Sequence, residues 1–195
     1  MEEPLKHSKV ELRAAARAIQ DMDNATDLEI FEHHWKVFLS CIEKLWEKME
    51  KACESSSKFP PWQGKHRRTR KKDPLLRYLK QARNADNHSI QDLNYINSGS
   101  FTVIHKDPRT GISGTKHITQ DESLKYNQDE LFINIFSPHP EVLPVTNKGV
   151  RYDPPKIHLG ERIDDLHPST LAVLGLKFYS ELINEAEETF FKKKK

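Results

Sequence analysis

Between Asp27 and Cys53 the apolar residues Ile30, Phe31, Trp35, Phe38, Leu39, Ile42, Leu45, Trp46 and Met49 recur at steps of three and four. That period belongs to an α-helix and cannot serve a strand, where alternate residues share a face. At 1.5 Å per residue the helix is roughly 39 Å long. A stripe with four large aromatics on it must be covered by other helices. The chain is therefore expected to build a helical bundle around this segment, with the aromatics in a core or a dimer seam.

Other segments supply partners for it. Ser8 and Glu11 have the spacing of a capping box, followed by Leu12, Ala15, Ala16 and Ile19 as a modest stripe to about Met22. Asn24 or Thr26 is placed to cap the long helix, with Asp27 and Glu29 in its first turn. Phe59-Pro60-Pro61-Trp62-Gln63-Gly64 reads as a loop. Asp73-Pro74 opens another helix as cap and first residue, with Leu75, Leu76, Leu79 and Ala82 on its apolar face and Ile90 and Leu93 as an extension. Asn97-Ser98-Gly99-Ser100 closes this half. Beyond it, Phe101–His105, Ile112–Ile118 and Leu131–Phe136 read as strands, with turns at Asp107–Gly111 and Asn147–Gly149. Helix returns at Pro168, with Leu171, Leu174, Phe178, Leu182, Ala186 and Phe190 in register. The expected fold is mainly α (α+β). Residues 1–100 and 164–195 form the bundle, and residues 101–163 form a small antiparallel β-rich insertion.

Net charge is only +2, yet Lys65, Arg67, Arg68, Arg70, Lys71 and Lys72 crowd six positive charges into eight residues. Four lysines end the chain, so the rest of it is acidic. Such a concentration points to a local anion-binding surface, and the six side chains are candidate nucleic-acid contacts. Cys41 and Cys53 lie twelve residues apart on one helix, roughly 18 Å, which is too far for a disulfide. Two reduced cysteines suit a cytoplasmic protein. No apolar run approaches the roughly 20 residues that span a bilayer. The acidic N-terminus does not resemble a secretory signal.

The chemically suggestive stretch is Arg83-Asn84-Ala85-Asp86-Asn87-His88. A guanidinium can hold two phosphate oxygens at once, and an imidazole can take a proton near neutral pH. Those two functions suffice to cleave RNA without a metal: a base deprotonates the ribose 2′-OH, and a cation meets the charge that grows on the phosphate. His88 is the candidate base, Arg83 the candidate clamp and Asn84 the candidate support. On an ideal helix Asn84 and His88 share a face, whereas Arg83 and His88 diverge by roughly 140°. A bent helix or a two-fold interface would be needed to bring that pair into one cleft.

Tyr78 to His88 resembles the signature of the HEPN superfamily: an arginine, a polar residue directly after it, and a histidine four to six residues further on. Arg83, Asn84 and His88 match those positions. The resemblance implies a helical bundle that dimerises with paired motifs face to face. It also implies metal-independent endoribonuclease activity, in toxin–antitoxin or phage-defence settings. RNA, a second copy of the chain and an antitoxin or defence partner are the expected partners, with no membrane. Other proteins with this signature are binding modules without activity, and that is the alternative reading. Residues 101–163 lie outside the resemblance. The sequence has neither a P-loop nor a dinucleotide fingerprint, so no cofactor is expected. His105, His117, His139 and His158 are scattered, and no metal site is expected from them.

Overall fold

The computed structural model describes residues 4–88, 91–98, 100–106, 113–118, 131–136 and 138–192. Within these the protein is mainly α (α+β), with helices α1 (Lys6–Asp23), α2 (Leu28–Cys53), α3 (Phe59–Lys72), α4 (Pro74–His88) and α5 (Pro168–Phe190). The strands are β1 (Asn94–Asn97), β2 (Ser100–Lys106), β3 (Ser113–Ile118), β4 (Leu131–Phe136), β5 (His139–Val142), β6 (Val145–Asn147), β7 (Val150–Tyr152), β8 (Ile157–His158) and β9 (Glu161–Arg162).

The expected stripe is the buried face of α2: Trp35, Phe38, Leu39, Ile42, Leu45 and Met49 are sealed from solvent. Each such side chain contributes about 1.5–3 kcal/mol when fully buried. Ile30 falls off the stripe and stays exposed. The cap of α2 is Asp27, whose Oδ1 accepts from Ile30 N at 2.9 Å, in place of Asn24 or Thr26; the Thr26 hydroxyl donates to Asp27 instead. At α1 the expected capping box does not form. The helix starts three residues earlier, Ser8 is buried inside it with its hydroxyl unpartnered among the described residues, and Glu11 pairs with Lys48 of α2. α1 lies along α2, and α5 packs on α1, α2 and α4. Gly175 allows the close approach of α5 to α4: a Cβ there would sit 2.7 Å from Leu79 Cδ1.

The segment expected to be a loop, Phe59 to Gly64, is the start of α3. Pro60 and Pro61 lie in its first turn, where a missing N–H loses no helical hydrogen bond. Phe59 and Trp62 anchor that turn in the core. α4 begins as expected, with Asp73 Oδ1 accepting from Leu76 N at 2.9 Å and Pro74 as its first residue. Of the expected extension, Ile90 lies outside the described residues and Leu93 is not helical. Leu93 is buried, its carbonyl accepting from Leu143 N at 2.9 Å, and β1 follows it, running up to the segment Asn97–Ser100 expected to close this half, of which Gly99 lies outside the described residues.

The chain divides into two compact units. One comprises Met1–Tyr95 with Glu141–Lys195; the other is Ile96–Pro140. In the second, β2 is the centre of a three-stranded antiparallel sheet of order β3-β2-β4, with Val103 opposite both Lys116 and Ile133. The turn expected at 107–111 lies outside the described residues. In the first, residues 91–95 run beside residues 141–146, tied by the side chain of Gln91 to Thr146 and by Tyr95 Oη to Glu141 at 3.0 Å. β6–β7 and β8–β9 are separate short hairpins, so the β-rich residues do not make one sheet. Each turns on a left-handed pair, Lys148 (φ 51°) with Gly149 (φ 76°) and Leu159 (φ 49°) with Gly160 (φ 92°), the conformation tight hairpins require. Val142, Val145 and Ile163 join the helical core.

Candidate nucleic-acid interface

Because residues 65–72 are helical, their charges spread around α3 at 100° per residue. His66 and Arg70 turn inward, one turn apart. The Arg70 guanidinium lies 4.3 Å from the centroid of the Trp46 ring, donates through Nε to Tyr179 Oη at 3.0 Å, and pairs through Nη2 with buried Glu43. His66 Nε2 lies 3.1 Å from Glu185 Oε1, which also accepts from Trp62 Nε1 and Lys65 Nζ at 3.1 Å each. Burial lowers the His66 pKa, outweighing the attraction of Glu185. Burial alone would raise the Glu185 pKa, but the donors Lys65 and His66 hold it below the ordinary value. Arg67 is bound to Glu50, with Nη2 at 2.9 Å and Nε at 3.0 Å. Of the six candidate cations, Arg68, Lys71 and Lys72 are exposed and have no carboxylate partner among the described residues.

Asp73 joins α4 to the hairpin β8–β9. Besides capping the helix, its carboxylate accepts from Leu159 N at 2.6 Å and from buried His158 Nδ1 at 3.0 Å. Burial would raise its pKa, yet these donors and Leu76 N together hold it below the ordinary carboxylate value. The start of α4 and the strands on its flank are thereby fixed to each other.

A groove of about 840 Å³ lies in the helical unit. α2 provides its floor with Glu43, Trp46, Glu47 and Glu50. Arg67 and Lys71 of α3 form one wall, and Arg77, Lys80 and Gln81 of α4 the other. Val150 and Tyr152 of β7 close the rim. The same two β7 residues border two adjoining hollows, one of about 580 Å³ with Arg77 and Lys156, and one of about 470 Å³ with Gln81, Asn84 and Lys148. The groove is mixed in charge. Arg70 and Lys80 (3.9 Å) face Glu43, and Arg67 faces Glu50. Lys71, Arg77, Lys148 and Lys156 have no carboxylate partner among the described residues, and their surplus makes the region an anion-attracting one.

Asn84 borders the hollow beside Gln81, whose side-chain oxygen accepts from Asn147 Nδ2 at 2.7 Å. Positions 77, 81, 84 and 88 follow one another at steps of four, three and four, so they share one side of α4. Arg83 is half-buried and lies about 100° away. Its Nη1 donates to Asn84 Oδ1 at 3.4 Å. With the Asn87 amide turned oxygen-inward, Nε and Nη1 both donate to it at 3.2 Å. The guanidinium is thus held on its own helix, between two motif amides. His88 is the last residue of α4; its side chain lies outside the described residues.

Arg77, Lys80, Gln81 and Tyr152 were not among the sequence candidates. Arg77 and Gln81 could have been found by extending the helical step back from His88 and Asn84. Tyr152 gives no such signal, because a tertiary contact brings it to the groove. Among the described residues no cluster of His, Cys, Asp or Glu could hold a metal ion, and no helix is long and apolar enough to cross a membrane. No protein-family model, no curated protein and no solved structure matches this chain.

Proposed function

We propose that the helical unit binds RNA along this groove and cleaves it without a metal, as an endoribonuclease of the HEPN kind working in the cytoplasm. One observation supports it above the others: Asn84 of the motif borders a hollow with Lys148 that shares Gln81, Val150 and Tyr152 with the groove holding Arg77 and Lys71, and position 88 is one turn further along the same side of α4. Phosphates would lie against Arg77, Lys71 and Lys148. His88 takes the 2′-OH proton, O2′ attacks phosphorus, and the P–O5′ bond breaks to leave a 2′,3′-cyclic phosphate and a 5′-hydroxyl. Arg83, oriented by Asn84 and Asn87, supplies positive charge to the phosphorane oxygens. A second copy of the chain, with α4 facing α4, would double the motif in one cleft. An antitoxin or other defence-system protein would restrain the activity.

The test is incubation of the purified chain with single-stranded RNA in EDTA, with end-group analysis of the products. Cleavage to cyclic-phosphate ends is expected, and its loss in His88→Ala with melting unchanged to within a few degrees. Undiminished cleavage by His88→Ala would refute the assignment. One observation favours the second reading, a binding module without activity: Arg83 directs Nε and Nη1 to amides of its own helix. That reading requires RNA binding by the wild-type chain with no cleavage at all.

A further inference from the structure

We propose that Tyr152 is a base-stacking platform and that the groove therefore takes single-stranded RNA; this rests on the RNA reading above and names the form of its substrate. Four observations lead to it. First, Tyr152 and Val150 are common to the linings of all three hollows, so a strand lying through them borders this residue throughout. Second, the ring is held in place. Tyr152 pairs with fully buried Val145 across the β6–β7 ladder and packs partly against the helical core. Third, its hydroxyl makes no hydrogen bond among the described residues. Fourth, the cations without carboxylate partners are arranged around it: Lys71 in the first hollow, Arg77 in the first and second, Lys156 in the second and Lys148 in the third.

A fixed aromatic face ringed by cations matches what an unpaired strand offers. Its phosphates meet the cations while a base is free to lie on the ring. A duplex keeps its bases stacked on each other and offers only phosphates, riboses and groove edges. Glu47 is the one carboxylate bordering the hollows that has no cation partner among the described residues, and Asp153 is bound to Arg151 at 2.8 Å. Neither stands against a strand crossing the third hollow, which has no acidic residue on its border.

The experiment uses the full chain and a fluorescein-labelled 12-nucleotide 2′-O-methyl oligoadenylate, which has no 2′-OH to attack and so reports binding alone. Anisotropy titrations compare wild type with Tyr152→Ala, Tyr152→Phe and Val150→Asp. Tyr152→Ala is expected to weaken binding about 5- to 150-fold, the range for loss of one stacked base. Tyr152→Phe is expected to stay within twofold. The salt dependence should keep its slope in both, since no phosphate contact is removed. An abasic oligomer of equal charge should bind wild type and Tyr152→Ala alike. Val150 is half exposed, so Val150→Asp tests the same wall without risk to folding, and a weakening of several fold is expected. Wild-type affinity in Tyr152→Ala and Val150→Asp would overturn the stacking role while leaving RNA binding intact. Equal affinity for a duplex of the same length would overturn the single-strand assignment. Absence of any binding by the wild-type chain would remove the RNA reading itself.

Discussion

Arg70→Ala should be the most destabilising single change in the basic run, although the sequence marks that residue as one surface cation among six. The guanidinium is 5% exposed and neutralises Glu43, whose side chain is 11% exposed. Removing one partner of a buried pair leaves the other charged and desolvated, at about 3–5 kcal/mol. Lys80 limits the loss. Its Nζ lies 3.9 Å from the other Glu43 oxygen, and at such a distance a partly exposed pair recovers about 1 kcal/mol or somewhat more. Contact with the Trp46 face and the Tyr179 hydroxyl is lost as well. A net cost of about 3 kcal/mol follows, and for a chain of this size that lowers Tm by about 6–12 °C. The double variant Arg70→Met, Glu43→Leu removes both charges and fills the space; it should return to within about 1 kcal/mol of wild type. Thermal and urea unfolding followed by circular dichroism measure all three. A Tm within 2 °C of wild type for Arg70→Ala would refute the buried-pair account, as would a double variant no more stable than the single.

Asp73→Ala removes the cap of α4 and the anchor of β8–β9 together, so it should cost more than the 0.5–2 kcal/mol of an isolated cap, measured by urea unfolding. Acid should weaken the fold in two stages. The folded pKa of His66 is lowered, so its contribution is present above its ordinary 6.5 and is lost as pH falls through the folded value. Asp73, also lowered, contributes above its ordinary 3.8 and loses that contribution at still lower pH. In melting curves from pH 8 to 2.5, His66→Gln should remove the first slope and Asp73→Asn should reduce the second, to which Glu185, also held below its ordinary value, contributes. Gly175→Ala gains helix propensity of about 1 kcal/mol but forces fully buried Leu79 to move, so a net loss of about 1 kcal/mol is expected by the same unfolding assay. Both cysteines are buried, and desolvation pushes the Cys53 thiol up to about 11, so iodoacetamide at pH 8 should label neither until the protein unfolds.

The helices that could be read from sequence are those whose apolar residues keep one period from end to end. α2 and α5 have such stripes, and α4 adds Asp73-Pro74 at its start. α3 was hidden because breaker residues and charge dominate its composition. Yet Phe59, Trp62, His66 and Arg70 follow one helical face, and the last two are polar residues satisfied by Glu185 and Glu43 from other elements. A polar residue in a core position cannot be told from a surface one until its partner is known. The same limit applied to the site. Asn84 could be picked out from a local motif, whereas Arg77 and Tyr152 border one groove only because hairpin β6–β7 packs on α4, with Asn147 donating to Gln81. Ser8 and Glu11 had the right spacing for a cap, but Lys48 on a distant turn of α2 claimed the glutamate.

Tyr95 and Glu141 are the residues at which the helical unit breaks off and resumes, and their side chains touch. A chain that departs and comes home at a single doorstep can have the intervening stretch cut out and a few glycines spliced in without asking any helix to shift. The price of a longer detour grows only with the logarithm of its length, so what lies between those two residues is free to vary like a cassette. A splice variant of this kind, still melting cooperatively, would allow the groove to be studied apart from the rest.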